Sequence, residues 1–98
     1  SVPKYGNLSS VKYSVAIQKK ALKDIKKAPA RVQRKFDLLV EDLESSGPEQ
    51  KSWPNYSKLG KVTHHCHLDY HWVACWRHEN DSIVIEVYYA GSREDAPY

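Results

Sequence analysis

Residues 61–90 read KVTHHCHLDYHWVACWRHENDSIVIEVYYA, and the alternation within this stretch decides the fold. Three runs rich in β-branched and aromatic side chains, 61–68, 71–78 and 82–90, are separated by Asp69-Tyr70 and Glu79-Asn80-Asp81, which are turn-forming sequences. Strand residues lying directly opposite each other point to the same side of a sheet, so the correct register is the one that gathers the apolar residues on one face. A three-residue turn at Leu68-Asp69-Tyr70 pairs His67 with His71, Cys66 with Trp72, His65 with Val73, His64 with Ala74 and Val62 with Trp76. A two-residue turn at Asn80-Asp81 pairs Trp76 with Ile85, Cys75 with Glu86, Val73 with Tyr88 and His71 with Ala90. The two registers agree. One face carries Val62, Cys66, Trp72, Ala74, Trp76, Ile83, Ile85, Val87 and Tyr89, and reads as core. The other carries His65, His67, His71, Val73, Cys75, Arg77, Glu86 and Tyr88, with His67, His71 and Ala90 in one row and Arg93 three residues beyond.

Upstream, Val11, Tyr13, Val15 and Ile17 alternate with Lys12, Ser14 and Ala16, the period of a half-buried strand. From Gln18 the period changes, and Ala21, Leu22, Ile25 and Ala28 recur at helical spacing with lysines on the other side. Pro29 ends that helix and suits the first turn of the next, in which Val32, Phe36, Leu39, Val40 and Leu43 form one stripe before the stop at Gly47-Pro48. Residues 48–60, with Trp53, Tyr56 and two prolines, read as an ordered loop. The order β-α-α-β-β-β predicts an α+β domain, an antiparallel sheet with both helices packed on one face. Residues 1–10 read as an N-terminal extension and 11–98 as the domain.

A chain of 98 residues has room for one core, and 28% charged residues with 41% hydrophobic ones exclude global disorder. No apolar run approaches the ~20 residues of a membrane helix. The opening SVPKYGNLSS lacks the apolar centre of a signal peptide, and two cysteines are too few to staple a secreted scaffold. The expectation is a cytoplasmic protein with no membrane partner. Residues 1–40 hold ten Lys/Arg against two acids, whereas 41–50 hold four acids and no base. A basic half of this kind suits attraction to a polyanion, although a Lys-rich helix face can also be simply solvated.

The histidine face admits three chemistries. His65, His67 and His71 with an open fourth position would suit zinc, but Cys66 and Cys75 fall on opposite faces and Glu86 alone has a supporting role to offer. A solvated or protein-binding face is the second. The third is acid–base cleavage of a phosphodiester: imidazoles to accept the 2′-hydroxyl proton and to protonate the departing 5′-oxygen, an arginine for the phosphorane charge, and tyrosines to stack on bases. The convergence of three imidazoles beside Arg93 favours the third, with no metal and no cofactor.

The element order, the helix-pair segment ALKDIKKAPARVQRKF, the strands HHCHL and YHWVACW, and the ending VYYAGSREDAPY together resemble the RelE/ParE superfamily, the small toxins of bacterial toxin–antitoxin pairs. The resemblance covers about residues 11–98, and the Gly-x-Arg-Glu followed by a late Tyr is its most specific part. It implies a RelE/HigB-like toxin, a ribosome-dependent mRNA endoribonuclease that inhibits translation, with a cognate antitoxin, the ribosome and mRNA as partners. It also implies that Arg93 is a catalytic arginine and Tyr98 a stacking tyrosine. His65 and His67 fall where RelE carries two lysines, and His71 where it carries an arginine. This departure implies a changed acid–base apparatus. The resulting expectation for catalysis is His65, His67, His71, Glu86, Arg93 and Tyr98, and for RNA binding Lys58, Lys61, Arg77 and Tyr88. The resemblance also admits a ParE-like inhibitor of DNA gyrase without enzymatic activity, and the same fold could serve as a zinc-binding or protein-interaction domain.

Overall fold

The computed structural model describes residues 12–98, so the extension expected over 1–10 lies outside the described residues. Strand β1 (Ser14–Ile17) alternates exposed Ser14 and Ala16 with half-buried Val15 and Ile17. Helix α1 (Lys19–Ile25) buries Ala21 and Ile25, and Ala28 follows it into the core; Leu22, expected there, is 40% exposed because it sits about 100° round the helix from Ala21, off the buried line. Helix α2 (Ala30–Ser46) starts from Pro29 and lays Val32, Phe36, Leu39 and Leu43 against the sheet, with Val40 at the margin. It stops at Gly47, whose N–H donates to the Leu43 carbonyl at 3.0 Å and whose φ of 97° lies in the region glycine favours.

The remaining chain forms β2 (Ser57–Lys58), β3 (Thr63–His67), β4 (Trp72–Arg77) and β5 (Val84–Ser92), followed by a short 3-10 turn at Arg93–Asp95. The sheet runs β1-β5-β4-β3-β2. It is mixed rather than antiparallel: β1 lies parallel to β5, with Ser14 beside Val84 and Ile17 beside Val87. The physical reason is the helix pair. Two helices crossing back over the sheet return the chain to the same end from which β1 began, which allows a parallel neighbour. The fifth strand, β2, comes out of the segment read as loop, and pairs Ser57 with His65 and Lys58 with His64.

Both hairpins shift register by two residues, which preserves the faces. The first turn is Asp69-Tyr70-His71, one position later than expected, so that His67 pairs with Val73, Cys66 with Ala74, His65 with Cys75 and His64 with Trp76. His71 therefore leaves the strand for the turn. In the second hairpin Trp76 pairs with Val87 and Arg77 with Glu86; Ile83, expected in the core, is pushed to the turn and is 67% exposed. A bulge between Cys75 and Trp76 then inserts Tyr88, after which Cys75 pairs with Tyr89 and Ala74 with Ala90. The extra residue flips the parity of the rest of β5. Ala90 consequently belongs to the helix-side core, not to a row with His67 and His71, and Gly91 takes the place opposite Val73. Tyr89 is only half-buried and Val62 stays at the margin, whereas Trp76 is fully buried and Trp72 packs partly against the core.

Candidate active site

On the helix-free face, His65 and His67 project from β3 with ring centroids 5.9 Å apart. The end of the chain returns over them, and the Tyr98 ring lies 4.4 Å from that of His65. The face is thus more covered than an open sheet surface. His65 is 8% exposed, and Val73 and Cys75 beneath are fully buried. Each imidazole is held from the side by the segment before β3: Ser57 Oγ is 3.0 Å from His65 Nδ1, and Asn55 Nδ2 is 3.3 Å from His67 Nδ1. The His67 backbone N–H donates to the Pro54 carbonyl at 2.8 Å, so the same loop also fixes the main chain.

Burial pushes the His65 pKa below its ordinary value and the neighbouring His67 adds to this, while a hydrogen bond with the Ser57 backbone opposes it. Burial likewise lowers His67, helped by the positive charge of Arg93. Both imidazoles are therefore neutral at pH 7, the state that accepts a proton. Burial raises the pKa of Tyr98, which stays a protonated phenol, and pushes the Cys75 thiol up to about 12 against an opposing hydrogen bond with Tyr88, leaving it inert. Tyr88 is likewise raised, mainly by burial.

Arg93 sits on the 3-10 turn after β5, where the Ser92 hydroxyl caps the Glu94 N–H. Its backbone N–H donates to the His71 carbonyl at 2.8 Å, tying the end of β5 to the β3–β4 turn, and its guanidinium lies 4.6 Å above the Tyr70 ring. Tyr70 in turn meets His71 edge-on at 4.8 Å. The structure thus brings His65, His67 and Tyr98 into one group and Arg93, Tyr70 and His71 into an adjoining one, linked by the field of Arg93 at His67. Glu86 stands in a different row: its carboxylate accepts from Gln18 Nε2 at 3.1 Å and lies beside Arg77. Arg77 itself is ion-paired with Glu79. Lys58 and Lys61 are exposed on β2 and on the connection to β3.

Asn55, Ser57 and Tyr70 were not among the expected residues. Asn55 and Ser57 hide in a segment without periodicity, where Asn55 adopts a φ of 54°; Tyr70 reads as a plain turn residue. The fourth histidine of the strand region, His64, belongs elsewhere. It is 3% exposed on the helix side, in a three-ring cluster with Tyr56 and Trp76, its centroid 5.9 Å from each and theirs 6.2 Å apart, with its Nδ1 2.8 Å from the Tyr56 hydroxyl. Among the described residues no group of three His, Cys, Asp or Glu side chains is arranged to hold a metal ion.

This architecture is shared with several solved toxins. The YafQ–DinJ toxin–antitoxin complex of E. coli superposes with a TM-score of 0.70 at 15% identity, covering 90% of this chain and 100% of that one. The fold is that of the RelE-type toxins. The archaeal RelE–RelB complex of Pyrococcus horikoshii OT3 gives 0.69 at 17% identity over 87% of this chain and 99% of that one. A free-state mutant of E. coli RelE gives 0.67 at 16% identity, with 86% of each chain covered. No family model and no curated protein sequence matches the chain, so the likeness is one of fold. Among the described residues no helix is long and apolar enough to cross a membrane.

Proposed function

We propose that the protein is the toxin of a toxin–antitoxin module, acting as a ribosome-dependent endoribonuclease on mRNA. The observation that carries this reading is the pair of neutral, laterally held imidazoles, His65 and His67, under a tyrosine ring and within the field of Arg93. Cleavage needs no group beyond these. His67, or His65 beside it, takes the proton of the ribose 2′-hydroxyl; the 2′-oxygen bonds to phosphorus, and the bond from phosphorus to the 5′-oxygen breaks. The Tyr98 phenol, which burial keeps protonated, gives its proton to the departing oxygen, and Arg93 offsets the negative charge on the phosphorane. The antitoxin is the partner that the resemblance implies, and it would be expected to shield this face or deform it.

Cleavage of ribosome-bound mRNA by His67→Ala and Arg93→Ala proteins tests the mechanism. Each substitution is expected to slow cleavage by about 10²–10⁴-fold. Tyr98→Phe against His71→Ala tests whether the phenol or the His71 imidazole, the other group that could protonate the departing oxygen, is the donor, and the larger loss is expected for Tyr98→Phe. Wild-type rates in both His67→Ala and Arg93→Ala would remove the nuclease reading, and inhibition of DNA gyrase by the same preparations would replace it with the ParE-like one.

A further inference from the structure

A hollow of about 270 Å³ opens between α2 and the loop before β2, lined by Lys35, Leu38, Trp53, Pro54, His67 and Leu68 together with Asp42 and Ser52. It shares one wall with the site, because His67 belongs to both. We propose that this hollow is a subsite for a single nucleobase of single-stranded RNA adjoining the scissile phosphate, an inference that rests on the nuclease reading. Its size falls just below the ~300 Å³ at which drug-sized ligand pockets begin, which suits one planar base and nothing larger. Its surface is mixed in the way a nucleotide requires. Leu38 is 51% exposed and, with Trp53 and Pro54, supplies apolar area for a ring face; Lys35, an exposed lining residue, offers a charge for the adjoining phosphate.

The walls are fixed before any ligand arrives. The Trp53 indole N–H donates to Asp42 Oδ2 at 2.8 Å, which pins the loop to α2. The next two residues hold His67: the Pro54 carbonyl accepts its backbone N–H, and Asn55, at positive φ, reaches its Nδ1. A base seated here would therefore lie in fixed relation to the imidazole that takes the 2′-hydroxyl proton. The same residues that shape the hollow position the proton acceptor, which is what a cleavage enzyme with a preference at one flanking nucleotide needs.

The test uses purified wild-type protein with adenosine 5′-monophosphate, and ribose 5-phosphate as a charge-matched probe without a base. Adenylate is expected to shift the Trp53 indole N–H resonance, identified by its loss in Trp53→Phe, at concentrations where ribose 5-phosphate does not. Equal responses to the two would mean that Lys35 merely attracts anions, and no response at all would leave the hollow without a ligand; either overturns the proposal. On ribosome-bound mRNA, Leu38→Glu and Lys35→Ala, both at exposed helix positions, are expected to raise KM about tenfold or more, with a smaller change in kcat and a flatter base preference at one position beside the cut. Unchanged KM and cut pattern in both would likewise overturn it. A protein that binds adenylate here yet fails to cut ribosome-bound mRNA would refute the nuclease reading and leave only a nucleobase site with no scissile phosphate beside it.

Discussion

His65 and His67 show how a residue's chemistry is set by what lies around it. Both titrate below the ordinary imidazole value, so as pH falls through the region below about 6.5 each becomes protonated and loses the capacity to accept a proton. Cleavage should therefore fall on the acid side, along a limb whose apparent pKa lies below 6.5, and Arg93→Ala should move that limb upward by removing a positive neighbour of His67. A limb at or above the ordinary value in the wild type would contradict the burial argument. Gly47 is a second position where one atom matters. Its φ of 97° excludes an ordinary side chain, and a Cβ there would come within 2.9 Å of the Tyr13 ring. Gly47→Ala should cost about 1–3 kcal/mol, visible as a lower denaturant midpoint.

At the scale of the elements, the bulge in β5 has the most influence. Tyr88 is the inserted residue, and the hairpin before it and after it obeys opposite parities. Deleting Tyr88 should therefore leave a regular ladder with Trp76 still opposite Val87 and Ala74 still opposite Ala90, so the deletion protein should keep cooperative unfolding, and its loss would contradict this register. Alternation in the sequence told correctly which residues of β3 and β4 face the helices, because a two-residue slip leaves parity untouched. It could not announce the bulge, since Tyr88-Tyr89 looks like any pair of strand residues. That is why Ala90 was misplaced, while Cys66, Ala74 and Trp76 were not. The stripe of α2 was equally legible, and Leu39→Ala within it should cost about 2–5 kcal/mol in equilibrium unfolding, since Leu39 is fully buried. Of the site, His65, His67, Arg93 and Tyr98 could be read because strand parity and the chain's ending point to them; Asn55 and Ser57 could not, because a two-residue strand leaves no period.

For the molecule as a whole, stability and charge divide between the two faces of the sheet. On the helix side, burial lowers the pKa of His64, and the charges of Lys58 and His78 oppose its protonation while Glu49 favours it. The unfolded chain then binds more protons than the folded one between the lowered value and 6.5, so stability rises with pH across that window and is lost as pH falls through it. His65 and His67 act in the same direction. The melting temperature should therefore fall below about pH 6.5, and His64→Gln should flatten part of that slope; an unchanged slope would assign it to the other two. Outside, the lysines of α1 and the cations of α2 are mostly solvated, with Lys20 paired to Asp24 and Arg31 to Asp69. Lys23→Glu with Lys27→Glu should weaken binding to ribosomal RNA, reduce its salt dependence, and leave the rate of bound complex unaltered.

The parallel pairing of β1 with β5 carries a kinetic consequence. Ser14 and Val84 sit 70 positions apart, yet they are neighbours in the sheet. Contacts of such long range slow the search for the native state. A growing polypeptide emerging from the exit tunnel could form α2 and the β3–β4 hairpin early, but β1 would have no strand to lie against until Val84–Val87 followed it out. The guanidinium of Arg93 arrives later still, so the proposed catalytic face would be the last part to assemble.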